Sequence, residues 1–198
     1  KWSFFPSARF IHLGIVFLFV VFSLSLLANL WVAPAKTQAA SATCYWVGVS
    51  NPDNWNDPAN WSGTDDGTGG DCDGGVVPGS DDDVVFNGTN TNSVNLDTTV
   101  TVQSITNAGT YSGTLDGAAQ TVNVGTVSGT GNFQWDGGAL DLDTGTWTVA
   151  GNWDTSGVDI TPGTSIVVLN GTGKTIQNSA WDVFYSLTIS GDIDYSGS

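Results

Sequence analysis

The chain has 198 residues, 40% of them hydrophobic, enough for one or two domains with a sizeable core, so disorder is not the starting expectation. Nineteen acidic residues against four Lys and Arg give a formal net charge of -15, and every acidic residue is aspartate; that balance argues against binding a nucleic-acid backbone, which calls for clustered cations. The only histidine is His12, so the chain beyond it lacks His, Glu, Arg and Met, which removes imidazole bases, Ser-His pairs, His-ligated zinc and arginine clamps.

The first element is apolar. Leu13 to Val32 reads LGIVFLFVVFSLSLLANLWV, with Leu13, Phe17, Phe22 and Leu27 along it. About 20 such residues in a helix span the hydrocarbon thickness of a membrane. Lys1 and Arg9 precede the run, and Ala33-Pro34-Ala35 or Ala40-Ser41-Ala42 follows it as a small-x-small site. Residues 1–42 are therefore expected to be a signal peptide or an uncleaved membrane-anchor helix with its N-terminus inside. A buried core helix is the third reading, and the lack of any polar face counts against it. Both main readings place the rest of the protein outside the cell or on its surface. Cys44 and Cys72 suit an oxidising compartment, and a disulfide between them would stabilise the fold by about 3 to 4 kcal/mol. Lipidation of Cys44 is disfavoured because Ser41-Ala42-Thr43 precedes it in place of a lipobox.

Residues 43–90 form a module rich in Trp, Asn, Asp and Gly. It holds Tyr45-Trp46-Val47-Gly48, then Asn54-Trp55-Asn56-Asp57-Pro58-Ala59-Asn60-Trp61, then Val77-Pro78-Gly79-Ser80-Asp81-Asp82-Asp83-Val84-Val85-Phe86. Trp46, Trp55 and Trp61 are read either as a cap sealing one end of the fold or as a platform for stacking on sugar rings, with cap packing favoured by the large area each ring buries. Asp65, Asp66, Asp71, Asp73, Asp81, Asp82 and Asp83 are read either as a solvated acidic loop or as ligands for Ca2+, although their spacing matches no EF-hand loop.

Residues 91–198 alternate polar with apolar residues at period two, as in Thr99-Val100-Thr101-Val102, Thr121-Val122-Asn123-Val124, Ala139-Leu140-Asp141-Leu142 and Ser186-Leu187-Thr188-Ile189. Gly-containing turn signals punctuate these strands. TVTVQSITNAG at Thr99 aligns with TVNVGTVSGTG at Thr121, an offset of 22, and ALDLDTGTWTVAG at Ala139 is placed 18 residues further on as the next copy. A repeat of about 20 residues cannot bury its own apolar face and must stack on its neighbours. The expected architecture is all-β, a right-handed β-solenoid of the parallel β-helix kind behind a Trp-rich cap. An immunoglobulin-like sandwich is the alternative. Inward positions are expected at Val100, Val102, Ile105, Val122, Val124, Val127, Leu140, Leu142, Val149, Ile166, Val168, Leu187 and Ile189. An uncapped end near Ser198 is expected to continue into further chain or to be covered by a partner.

These motifs resemble a module of bacterial surface and secreted proteins. There a W-x-G … W-x-x-x-x-N-W stretch leads through V-P-x-x-D-D-V-x-F into β-helical repeats, as in autotransporter-type and adhesin-like proteins. The likeness covers about Cys44 to Gly88. Gly163 to Gly173, Thr175-Ile176 and Phe184 to Ile189 resemble the repeat of the same proteins. The resemblance implies export and service as an adhesin, fibre or surface-layer component, and it carries no catalytic residues to transfer.

Paired aspartates could serve glycoside hydrolysis, but Lys174 is the one basic residue beyond the N-terminal segment, and an enzyme is not expected. Asn60-Trp61-Ser62, Asn87-Gly88-Thr89 and Asn170-Gly171-Thr172 match the N-glycosylation pattern, which has meaning only in an organism that glycosylates exported proteins. The sequence thus suggests a non-catalytic surface protein that associates with itself or with other surface proteins, with Ca2+ as a candidate aid to assembly. A carbohydrate-binding module using exposed Trp is the second expectation.

Overall fold

The computed structural model describes residues 41–49, 53–107, 109–125 and 131–195. Leu13, Phe17, Phe22, Leu27 and Val127 lie outside them. Among the described residues no helix is long and apolar enough to cross a membrane.

Short β-branched strands separated by Gly, Asn and Asp corners give a chain that turns every few residues. It opens with β1 (Thr43–Trp46) and β2 (Trp61–Ser62), which pair antiparallel with Trp46 opposite Trp61. Three-sided coils follow. The first is β3 (Asp83–Phe86), β4 (Val94–Asn95) and β5 (Val100–Val102), and the second is β6 (Ser104–Asn107), β7 (Thr114–Asp116) and β8 (Thr121–Val124). The third is β9 (Phe133–Trp135), β10 (Ala139–Asp141) and β11 (Thr146–Val149), and the fourth is β12 (Trp153–Thr155), β13 (Ile160–Thr161) and β14 (Ile166–Leu169). In the fifth, β15 (Lys174–Asn178) and β16 (Ser186–Ile189) flank a side without a strand, and β17 (Ile193–Tyr195) follows.

Like sides stack into three sheets. Sheet A is eight-stranded, β17-β15-β12-β9-β6-β3-β1-β2; sheet B is four-stranded, β13-β10-β7-β4; sheet C is five-stranded, β16-β14-β11-β8-β5. Apart from β1 with β2, the paired strands run parallel. That pattern is a parallel β-solenoid of about five turns. It disposes of the immunoglobulin-like alternative, whose strands pair antiparallel.

The repeat expected from sequence is visible in the register. Val100 pairs with Val122, the expected step of 22, and Ile166 pairs with Ser186, a step of 20. One alignment is corrected. Ala139 does not stack on Thr121; it pairs with Thr114 in sheet B, and Thr146 takes the place beside Thr121 in sheet C. Both strands alternate, so alternation alone did not say which side of the coil each one forms.

The inside of the coils is one continuous apolar cluster from Cys44 to Ile176. Val100, Val102, Ile105, Val122, Val124, Leu140, Leu142 and Val149 are buried as expected. Ile166 and Val168 are not: Val167 and Leu169 face inward instead, and Ile166 is exposed. The run Ile-Val-Val-Leu has no polar residue to mark its phase. That phase is set by β11, where buried Trp147 and Val149 stand beside Val167 and Leu169. Leu187 and Ile189 lie in the same columns by register, yet they are 39% and 49% exposed because β16 is the edge strand of sheet C.

Aromatic residues fill the middle of the core. Phe86, Phe133, Trp135, Trp147 and Trp153 are all buried, and the rings of Phe133 and Trp153 stack at 4.6 Å. Glycine serves one corner that no other residue fits. A Cβ on Gly151 would stand 1.9 Å from the carbonyl oxygen of Gly131, and one on Gly191 would stand 1.7 Å from that of Gly171. Beside this corner Asn132 accepts from the Asn152 amide at 2.9 Å, and Asn152 accepts from the Thr175 amide at 3.1 Å, joining successive coils.

Candidate functional site

The Trp-rich module is built around β1 and β2. Trp46, Trp55 and Trp61 are each at most 2% exposed. Trp61 packs edge-on against Trp55 at 4.6 Å and against Trp46 at 5.1 Å, and Phe86 joins them from the first coil. The indole N–H groups are satisfied inside: Trp61 donates to the Trp55 carbonyl at 2.8 Å and Trp46 to the Asn92 carbonyl at 3.0 Å. These rings present no face to a sugar, so of the two readings their burial fits the favoured one, packing, and not the stacking platform. Large aromatic area gains most when it is removed from water, and here the whole of it is.

The disulfide between Cys44 and Cys72 is present, with both residues buried. It ties β1 to the middle of the acidic stretch across 28 residues, which corresponds to about 3 to 4 kcal/mol by loop closure.

The seven aspartates read as a solvated acidic loop or as Ca2+ ligands differ in their surroundings. Asp65, Asp66 and Asp71 are exposed, Asp73, Asp81 and Asp83 are half-buried, and Asp82 is buried. Asp82 locks β1 to the approach of β3, accepting from the Ala42 amide at 2.8 Å and the Gly79 amide at 2.7 Å. Asp83 accepts from the Ser104 hydroxyl of the next coil. Asp66 accepts from the Thr68 amide and from the Thr64 and Thr68 hydroxyls, and these donors lower its carboxyl to about 2. Asp73 is shifted the other way, raised first by burial and then by the charges of Asp82 and Asp81. Among the described residues no group of three or more acidic, Cys or His side chains is placed to hold a metal ion.

The aspartates and asparagines have a common structural use that the sequence reading missed. Asp57, Asp66, Asn87, Asn107, Asp116, Asp141 and Asp154 each accept from the backbone N–H two residues ahead. This is the turn that a short acidic or amide side chain makes with its own backbone, and a Glu side chain is too long for it. The absence of Glu in a chain with 19 Asp was the available signal.

What remains for function is the outside of the coils, and the three sheets differ. Sheet B stacks Asn95, Asp116, Asp141 and Thr161 in one outward column. Sheet A carries Asp83, Asp154 and Asp194. Between β9, β12 and β15 it also has a groove of about 120 Å³ lined by Asn132, Gln134, Asn152, Asp154, Thr175 and Gln177. That volume is well below the roughly 300 Å³ at which ligand pockets begin. Sheet C presents two columns: Thr121, Thr146, Ile166 and Ser186 in one, and Thr101, Asn123, Thr148, Val168 and Thr188 in the other. Neither column contains a charge.

The fifth coil has a further exposed patch that the sequence reading did not single out. Trp181 is 80% exposed, Val183 66% and Tyr185 65%. The segment is held from within. Asp182 accepts from the Thr155 hydroxyl at 2.7 Å and from the Ile160 amide at 2.9 Å, taking the place a sheet B strand would have. Phe184 packs against Trp153 at 5.7 Å.

No protein-family model matches this sequence, and no match is found among the curated proteins or the solved structures.

Proposed function

We propose that this is an exported, non-catalytic structural protein of the cell surface, a component of an adhesin, fibre or surface layer, that associates with itself or with neighbouring surface proteins. The observation that carries the reading is the use of the side chains. The tryptophans of the cap and the aromatic rings of the first four coils are packed into the core, many of the aspartates serve turns and locks, and the described outside of the coils consists of regular sheet faces.

The apolar segment before Ala42 and the resemblance to Trp-capped β-helical surface proteins support export. Ca2+ enters as a bridge between acidic faces of separate copies, since Asp116 and Asp141 stand side by side on the outside of sheet B and Asp83, Asp154 and Asp194 lie on sheet A. The test is electron microscopy of the full-length protein on its own cells and after gentle extraction, with and without a chelator. An ordered array or filament that loosens on chelation is the expected result. Isolated particles under all conditions would overturn the reading.

A carbohydrate-binding role is the second reading, now resting on Trp181 and Tyr185 in place of the three buried cap residues. Trp181 is the exposed indole among the described residues. Acrylamide should quench it selectively, and a bound polysaccharide should protect it.

A further inference from the structure

We propose that the outer face of sheet C is the surface through which copies of this chain pack side by side. The inference rests on the assembly reading above and deepens it by naming the face.

The chain carries a net charge of -15, so two copies repel at long range. Close approach costs least where no charge has to be desolvated. Sheets A and B do not offer that, because Asp83, Asp154 and Asp194 project from one and Asp116 and Asp141 from the other. Sheet C does, over all five of its strands. Its central strand β11 turns Thr146 and Thr148 outward, and Val168 stands next to Thr148 in the adjoining coil. Branching at Cβ restricts these side chains to few rotamers, so little freedom is lost when a second surface covers them. Two such faces would meet about the two-fold axis that pairs like patches, at the roughly 10 Å spacing of stacked sheets.

The size of the face says what kind of contact this is. Five strands about 4.8 Å apart and roughly 13 Å long cover about 300 Å² per copy. A stable complex in dilute solution needs about 800 Å² per partner. The contact therefore acts between copies already concentrated and aligned, as on a cell surface, where many weak contacts add.

The test uses the full chain displayed on cells, with Thr148→Cys on sheet C and Thr106→Cys on sheet A as a matched control. Under mild oxidation Thr148→Cys should form a disulfide-linked dimer about ten times faster than Thr106→Cys, the ratio that roughly 1.4 kcal/mol of contact free energy produces. Adding Thr146→Asp to the first variant should remove that advantage, with native near-ultraviolet circular dichroism showing that the fold is kept. Equal rates for the two cysteine variants would overturn the proposal. Arrays seen by microscopy with no dimer from Thr148→Cys would overturn it while leaving the assembly reading intact. Neither arrays nor dimers would sink both. Protection of Thr148→Cys from maleimide by a neutral polysaccharide, without any dimer, would assign the face to that ligand and overturn the proposal.

Discussion

Trp61 and Trp181 are the same side chain in two very different positions. Trp61, 2% exposed, has β1, β2 and the first coil around it and its N–H bonded inside. Trp181, 80% exposed, sits on a segment whose neighbours Asp182 and Phe184 do the holding. The difference teaches that an aromatic residue contributes to this fold through the layer beyond it. At the cap the layers on both sides are protein, while along the fifth coil the outer side is water.

The comparison can be broken from the cap side first. Trp61→Ala should lower unfolding free energy by about 3 to 5 kcal/mol, the usual cost of emptying a buried aromatic site. The same change at Trp181 should leave it within about 0.5 kcal/mol, and chemical denaturation of the two variants measures the contrast. Replacing Cys44 and Cys72 together by serine should cost about 3 to 4 kcal/mol, and hydrogen exchange should place the loss in β1, β2 and β3 and leave β11 to β14 protected.

Asp182→Ala tests the other region. It leaves the Thr155 hydroxyl and the Ile160 amide without their acceptor, which should cost about 1 to 3 kcal/mol and speed exchange at Ile160 before any change at the cap.

The smallest effect concerns pH. The carboxyl of Asp73 is raised in the folded protein, so the folded state holds that proton more tightly than the unfolded chain. Its contribution to stability is fullest below the unfolded value of 3.8 and declines as pH rises through the raised folded value. Asp73→Asn should therefore raise the melting temperature slightly near neutral pH and lose that gain below about pH 4. Asn also tolerates the positive φ of 45° found at this position. Asp66 has the opposite sign, with stability present above 3.8 and lost as pH falls toward about 2.

The parallel solenoid, the 22-residue step between Val100 and Val122 and the Cys44–Cys72 pair were legible in the sequence, because alternation, punctuation and compartment chemistry all act locally. Three things were not. The phase of Ile166 to Leu169 is decided by the neighbouring coil. The assignment of Ala139 to sheet B depends on where the corners fall, which alternation does not encode. The burial of Phe133, Trp135, Trp147 and Trp153 follows from stacking across coils that are far apart in sequence. For the candidate surfaces, charge could be counted from the chain. Only the register revealed that it is absent from one side.

The glycine corner carries a consequence for how such a chain can change length. Gly131, Gly151, Gly171 and Gly191 recur at an interval of 20 residues, and the last three meet carbonyls of the coil before them. Duplicating or deleting one interval would put a glycine back under a carbonyl and leave each coil with a neighbour of the kind it already has. Removing a single residue would slide a side chain into that corner and reverse the facing of every strand up to the next turn. A change of one whole interval should therefore keep the corner and the facing of the strands, where a change of one residue should not.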